Sequence, residues 1–368
     1  MTQYSESETL IADSAAAFFE QAGGVDRVRR IRDKWPAFDR AAWEEIVGMG
    51  WLGMLAPESK GGLELGIREA VVLLENIGRS IPVEPVVGAI TAAFILAKCD
   101  TDEADNLLAD LMGGEKIILP VGKDEKKSGI DLEIVNDAVN GRTGSVADMH
   151  GADAFLVWIG GKDNAGLYVV ERNTTGVDVE YHETVDGGSV GCLIFKNVDP
   201  SKLKILSREN MSREDFSDAG DVLCLGNAAL MLGLMKTALE ITTEYMKTRQ
   251  QFGSPIGSFQ ALQHRAASLY VAMISSRALV YEACRAFGSE RQSLACRAAK
   301  ARSAESTMAL VKECIQFHGA IGFTDECDIG LYFRRAMALS AAGGNPSECR
   351  RRYAEIRGDL TRSACESY

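Results

Sequence analysis

The chain has 368 residues, 46% hydrophobic and 25% charged, enough to bury a large core and to divide into two or three domains. Its net charge of −12 argues against a nucleic-acid or anionic-membrane surface, because phosphate binding is driven by clustered Lys and Arg. A local basic pocket for an anionic cofactor stays open.

The nine cysteines show no C-x-x-C pair or regular spacing, the pattern of reduced thiols in a cytosolic (cytoplasmic) protein. The four histidines, His150, His182, His264 and His318, sit at no metal-ligand spacing, so no metal site is expected. Met1 to Gln21 is polar and acidic before turning Ala/Phe-rich, unlike a secretory leader, and no stretch is expected to reach the roughly 18 apolar residues of a membrane span.

Residues 1–115 read as a helical domain. Asp39–Val47 and Ile67–Ile77 place apolar residues three and four apart, and Pro57, Gly61-Gly62, Pro82 and Pro85 punctuate them. From 116 to 206 the pattern is that of a small antiparallel β domain. Strands are predicted at Ile117–Val121, Ala154–Ile159, Gly166–Val170 and Val190–Phe195, with turns at Asn140-Gly141, Lys162-Asp163-Asn164 and Asp186-Gly187-Gly188. Helix returns over 207–368 as a four-helix bundle. A buried central helix is predicted at Asp221–Lys247, two long ones at about Ser258–Phe287 and Gln292–Phe317, and a last one running to about Leu360. Asn345 as N-cap, Pro346 at the first helical position and Glu348 mark its start. The fold class is therefore multi-domain α+β.

Two segments carry chemistry. Arg249 to Gln260 (RQQFGSPIGSFQ) joins two long helices through Gly and Pro and ends on Ser258 as a prospective N-cap. Such a helix start offers free backbone N–H groups to a phosphate, Arg249 offers a fork for pyrophosphate, and Phe252 offers a face for a base ring. The bland reading is a helix–helix turn with a surface Arg and a core Phe. Gln316 to Thr324 (QFHGAIGFT) puts small residues at a helix end, where a ligand can approach the backbone; its bland reading is a Gly C-cap.

Together, about 55 residues apart and in this order, the two segments resemble those of the acyl-CoA dehydrogenase family, and the likeness covers essentially the whole chain. It implies FAD at a subunit interface. One subunit's Arg, Phe and Gln-Gly segment hold the ADP half of an FAD whose ring lies in the neighbour. By resemblance Arg249, Gln251, Phe252, Gln260, Gln316 and Gly319 take those roles, and Ala320 stands where a second Gly is usual.

The departures are as informative. The family's Thr-Glu or Thr-Ser motif and Trp-bearing strand, which address the flavin ring, are absent from Leu119–Asp124 and Ser145–His150. The family's base is a Glu at one of two positions. Aligned on Arg334–Ala336, the usual one holds Gly343; aligned on Gly233–Met235, the other holds Leu223. The nearest carboxylate, Asp221, is two residues away on a different helix face, and Glu214 is a further candidate.

Ile81–Pro85, Gly322–Glu326 and Leu331–Ala336 look like the bacterial branch containing heteromeric α2β2 enzymes of steroid side-chain degradation. The resemblance implies a subunit that contributes ADP-side contacts while a partner subunit supplies the Glu, acting together on an acyl-CoA. Two other readings stay open: a self-sufficient homo-oligomer with Asp221 or Glu214 as displaced base, and a flavin-free binding or assembly protein. Arg334, Arg335 and Arg350–Arg352 read either as a CoA-phosphate patch or as a solvated basic helix face.

Overall fold

The computed structural model describes residues 4–366 except 22, 36, 122–131, 161–164 and 208–212, and only the backbone at 19–21, 213–215, 217 and 359–366. In chain order the helices before the sheets are α1 (Glu6–Gln21), α2 (Gly24–Ile31), α3 (Arg40–Gly48), α4 (Ile67–Ile77), α5 (Val86–Ala97) and α6 (Asp102–Met112). The strands are β1 (Ile118–Pro120), β2 (Glu133–Val135), β3 (Ala138–Arg142), β4 (Val146–Ala147), β5 (Ala154–Ile159), β6 (Gly166–Glu171), β7 (Val177–Glu183), β8 (Ser189–Val198) and β9 (Lys204–Ser207). Then come α7 (Arg213–Thr248), the hairpin β10 (Gln250–Gln251) and β11 (Ser254–Pro255), α8 (Gln260–Ala286), α9 (Gln292–His318), α10 (Ile329–Ala341) and α11 (Pro346–Glu366).

The chain forms two compact units. One holds Ile31–Gly66 and Val83–Leu223, the other Met1–Arg30, Ile67–Pro82 and Cys224–Tyr368. Helix α7 carries the chain from the first into the second.

The first unit is built on two sheets, ordered β1-β5-β6-β9 and β2-β3-β8-β4, with β7 on the other side of β8. Every registered pair here is antiparallel except β1 with β5, which run parallel. The predicted turn at Asn140-Gly141 is a correction: both residues lie in β3, where the register against β8 shifts between Val139 and Gly141. The hairpin turn is Asn136-Asp137, at φ 51° and 56°, the two left-handed positions of a type I′ turn. Asp186-Gly187-Gly188 does turn the chain between β7 and β8, with Gly187 at φ 86°. The predicted turn at Lys162-Asp163-Asn164 lies outside the described residues. Helix α5 is buried along nearly its whole length and packs on β1; a Cβ at Gly88 would stand 2.7 Å from Leu119 Cδ2.

The second unit is a helical bundle in which α8 packs on α9, and α9 on α10 and α11, while α1 packs on α4 and α4 on α8. Its centre is α7, where Leu225, Ala228 to Leu232, Leu234, Met235 and Ala238 are all buried. Gly233 lets α7 approach α4 closely, since a Cβ there would fall 1.9 Å from the Glu75 carbonyl oxygen. Gly78 does the same from the other side, 2.1 Å from the Leu230 carbonyl oxygen. The absence of any span-length apolar stretch is overturned: Asp218–Thr248 is long and apolar enough to cross a membrane. Its most apolar window is 83% buried inside the protein, as a core helix is.

Helix α11 starts as predicted. Asn345 Oδ1 accepts from the Ser347 and Glu348 N–H groups, each at 3.0 Å, and Glu348 Oε2 accepts from Asn345 N–H at 2.9 Å, a complete capping box.

Candidate functional site

The two segments singled out in the sequence lie in the bundle unit and begin from adjacent helix ends. Arg249 is the residue after α7; its N–H donates to the Tyr245 carbonyl and its own carbonyl accepts from Ile256, both at 2.8 Å. These bonds close the base of the β10–β11 hairpin. Its turn residues, Phe252 and Gly253, lie at φ 53° and 81°, again the type I′ pattern. That pattern favours Asn or Gly at the first position, so a Phe there is strained. Phe252 is 93% exposed, with the edge of Phe259 against its ring at 6.2 Å. Phe252 is therefore not a core residue.

Ser258 does not cap α8. The N-cap is Phe259, with no side-chain bond, and Ser258 Oγ turns back to Ser254 Oγ and the Pro255 carbonyl. A side-chain hydroxyl at the cap would have occupied one of the first N–H groups of α8; the side chain of Phe259 makes no such bond. Gln251 and Gln260 are exposed beside Phe252.

The second segment closes α9. Gln316 is exposed on the last turn, and Gly319 ends the helix at φ 65° and ψ −140°, a conformation open essentially to Gly alone. A Cβ on Gly319 would meet nothing within 4 Å, so its need for glycine is conformational and its outer side is open. Ala320 is exposed in the short 3-10 turn Gly319–Phe323. Tyr245 of α7 and His318 of α9 bring the two segments together: the rings stack at 4.4 Å and 23°.

At the usual base position, Gly343 and Gly344 join α10 to α11 at φ 69° and 102°. The Gly343 carbonyl accepts from Cys224 Sγ at 3.1 Å, and Arg297 Nη1 donates to the same sulfur at 2.9 Å. Beneath the loop, fully buried Lys300 donates to the carbonyls of Leu339 (2.9 Å) and Ser340 (3.1 Å), in the last turn of α10. Burial pushes the Lys300 ammonium down to about 8; the Cys224 and Cys349 thiols pull the other way. Lys300 thus caps a helix C-terminus. The cluster holds two cations and two thiols, and its nearest carboxylate, Glu348, is engaged in the capping box of α11, where Oε2 accepts from the Asn345 N–H. Sequence reasoning passed over Cys224, Arg297 and Lys300, because only the packing of α7, α9 and α10 brings them to Gly343.

In the sheet unit, Leu223 is half-buried and Asp221 fully buried on α7; the side chain of Glu214 lies outside the described residues. Of the expected ring-side positions, Leu119 to Val121 are buried and apolar, while 122–124 lie outside the described residues. His150 packs against Trp35 and Phe38, and its Nδ1 pairs with Ser189 Oγ at 2.9 Å. Burial, with the charge of Arg172, holds this imidazole down to about 4, a neutral structural ring. Among the described residues no His/Cys/Asp/Glu group could hold a metal. The Arg-rich face of α11 is paired: Arg350 with Glu305, and Arg351 and Arg352 with Glu355. Exposed pairs of this kind favour the solvated-face reading for Arg350–Arg352, whereas Arg335 of α10 is buried and fits no solvated face.

Family models for the N-terminal and C-terminal domains of acyl-CoA dehydrogenases match residues 5–115 and 224–355. The chain belongs to the acyl-CoA dehydrogenase family. The cofactor of the family is FAD. The acyl-CoA dehydrogenase IpdE2 of Mycolicibacterium smegmatis is 28% identical over 349 residues, 95% of this chain and 98% of that one. A solved structure of the Tcur3481-Tcur3483 steroid ACAD superposes with a TM-score of 0.86 and 27% identity, covering 97% of this chain and 99% of that chain. The ChsE4-ChsE5 complex from Mycobacterium tuberculosis superposes with a TM-score of 0.87 over 97% and 98%; at 24% identity this is a likeness of fold.

Proposed function

We propose that this acyl-CoA dehydrogenase chain is the non-catalytic subunit of a heteromeric, α2β2 FAD-dependent enzyme acting on an acyl-CoA, of the steroid side-chain class. The observation that carries the reading is the loop at Gly343. The usual base position is a glycine in left-handed backbone whose carbonyl is taken by Cys224, the neighbour of Leu223 at the other base position. The residues read by resemblance as ADP-side, by contrast, are exposed or half-exposed on one unit, with Ala320 in place of the usual second Gly. That the neighbours are named as the two-component Tcur3481-Tcur3483 steroid ACAD and the ChsE4-ChsE5 complex supports a partner subunit.

The residues present fit the ADP half of FAD. Exposed Arg249 can grip a pyrophosphate, Phe252 offers an uncovered aromatic face, and Gly319 leaves the backbone open. The chemistry FAD supplies when bound is acceptance of the hydride leaving the substrate β-carbon. The work of this chain is to bind and orient the adenylate end. The α-proton goes to a carboxylate of the partner.

Expressed alone, the chain should carry little FAD; co-expressed with its partner, it should form an assembly with one FAD per pair of chains. A fully loaded homo-oligomer from single expression would defeat the proposal and favour the self-sufficient reading. In the assembly, Arg249→Ala should weaken FAD retention by roughly 1.5–3 kcal/mol, the worth of a charge-assisted bond to a phosphate. Arg249→Lys should also lose affinity because the fork goes. Both are read by dialysis and flavin fluorescence, and wild-type retention in both would make Arg249 a plain surface residue.

A further inference from the structure

We propose that Tyr245 is the positioning residue that holds the two ADP-side segments in register, an inference that rests on their reading as one half-site. The segments are far apart in the chain, and Tyr245 touches both. Through the backbone, its carbonyl accepts the Arg249 N–H at 2.8 Å, so the hairpin leaves α7 one turn beyond it. Through the side chain, its ring stacks on His318 at 4.4 Å, and its hydroxyl donates to the His318 carbonyl at 3.3 Å. That carbonyl belongs to the peptide joining His318 to Gly319, where α9 breaks into its Gly-only conformation. His318 cannot swing away. It is buried, and its Nδ1 donates to the Cys314 carbonyl at 2.8 Å. One rigid side chain thus ties the root of Arg249 to the peptide that sets Gly319. Misplacement of either by about 1 Å is enough to weaken a two-point grip.

The test uses the co-expressed assembly and measures FAD affinity, riboflavin affinity and melting temperature. Riboflavin lacks both phosphates and the adenosine, so it reports contacts other than the ADP-side ones. Tyr245→Leu should lower FAD affinity roughly 10-fold, the scale of one lost aromatic contact with its alignment, and leave riboflavin affinity as it was. Tyr245→Phe keeps the stack but not the hydroxyl and should lose about 2–3-fold. Combined with Arg249→Ala, Tyr245→Leu should add little, because a residue acting through Arg249 placement is non-additive with its loss. Unchanged FAD affinity in Tyr245→Leu would overturn the proposal. So would parallel falls in FAD affinity, riboflavin affinity and melting temperature with additive effects, which mark a general core role. If Tyr245→Leu fails to assemble, wild-type FAD affinity in Tyr245→Phe together with additivity towards Arg249→Ala overturns it equally. A wild-type assembly that binds no FAD fails the half-site reading itself, before any variant is compared.

Discussion

Arg277→Met is expected to destabilise the bundle unit by about 3–5 kcal/mol, because it strands a buried carboxylate. Glu75 of α4 is 7% exposed and accepts from Arg277 Nε at 2.8 Å and from the Tyr281 hydroxyl at 2.8 Å, both on α8. Arg277 Nη2 donates further to the hydroxyls of Tyr281 (3.1 Å) and Tyr4 (3.2 Å), which draws in the N-terminal segment. Burial works against the charge on Arg277, yet the hydrogen bond and charge of Glu75 outweigh it and hold the guanidinium more firmly protonated than usual. Next to this cluster, Glu8 closes a capping box with Ser5 at the start of α1 and is also paired with Arg68 of α4. Met fills the space of the Arg stem but leaves Glu75 without its counter-charge. Adding Glu75→Leu should restore much of the loss, since a matched apolar pair carries no desolvated charge. Denaturant unfolding at neutral pH measures both. A single-variant cost under about 1 kcal/mol would show the pair to be solvated and of surface strength.

What could be read from the sequence follows from how local each signal is. The span of α4 and the strand β5 match their predicted ranges, because a 3.6-residue period and a short β-rich apolar run need no distant partner to be seen. The capping box at Asn345 is local too. The Ser5-x-x-Glu8 box is equally local, and Leu10-Ile11 follow it directly; it is a start signal that the sequence carries as plainly as the one at Asn345. Strand β7 escaped because only Val177 along it is buried; the rest is held by its ladder to β8. Helix α10 reads as a motif more readily than as a helix, since its buried residues, Ile329, Leu331, Tyr332, Arg335, Ala336 and Leu339, include an arginine. At the site, Arg249, Phe252 and Gly319 could be named from their motifs. Tyr245 could not, because its bond to His318 spans 73 residues and exists only once α7 and α9 pack. The same holds for Cys224 on Gly343, 119 residues away.

Loss of the partner's glutamate should cut turnover of the assembled enzyme by about 10²–10⁴-fold, whereas Asp221→Asn in this chain should leave it within a few-fold of wild type. The α-proton of a thioester is too weakly acidic for water to remove at neutral pH, so the reaction depends on a positioned base. This chain offers none at either family position. Gly343 sits at φ 69° beside Gly344 at φ 102°, backbone that a glutamate could adopt only under strain. The Gly343 carbonyl is also held by Cys224, so the loop is shaped around a thiol. On α7, Leu223 carries no proton acceptor. Asp221, two residues away, projects from a different helix face and is fully buried. A base must reach the proton it abstracts within about 3 Å, and a side chain with no exposed surface does not present itself to a substrate. Steady-state turnover of the co-expressed pair, with flavin content and oligomeric state measured alongside, decides the matter. A loss of roughly 10²-fold or more from Asp221→Asn, with flavin and assembly intact, would mean that this chain carries its own displaced base and that the division of labour proposed for the two chains is wrong.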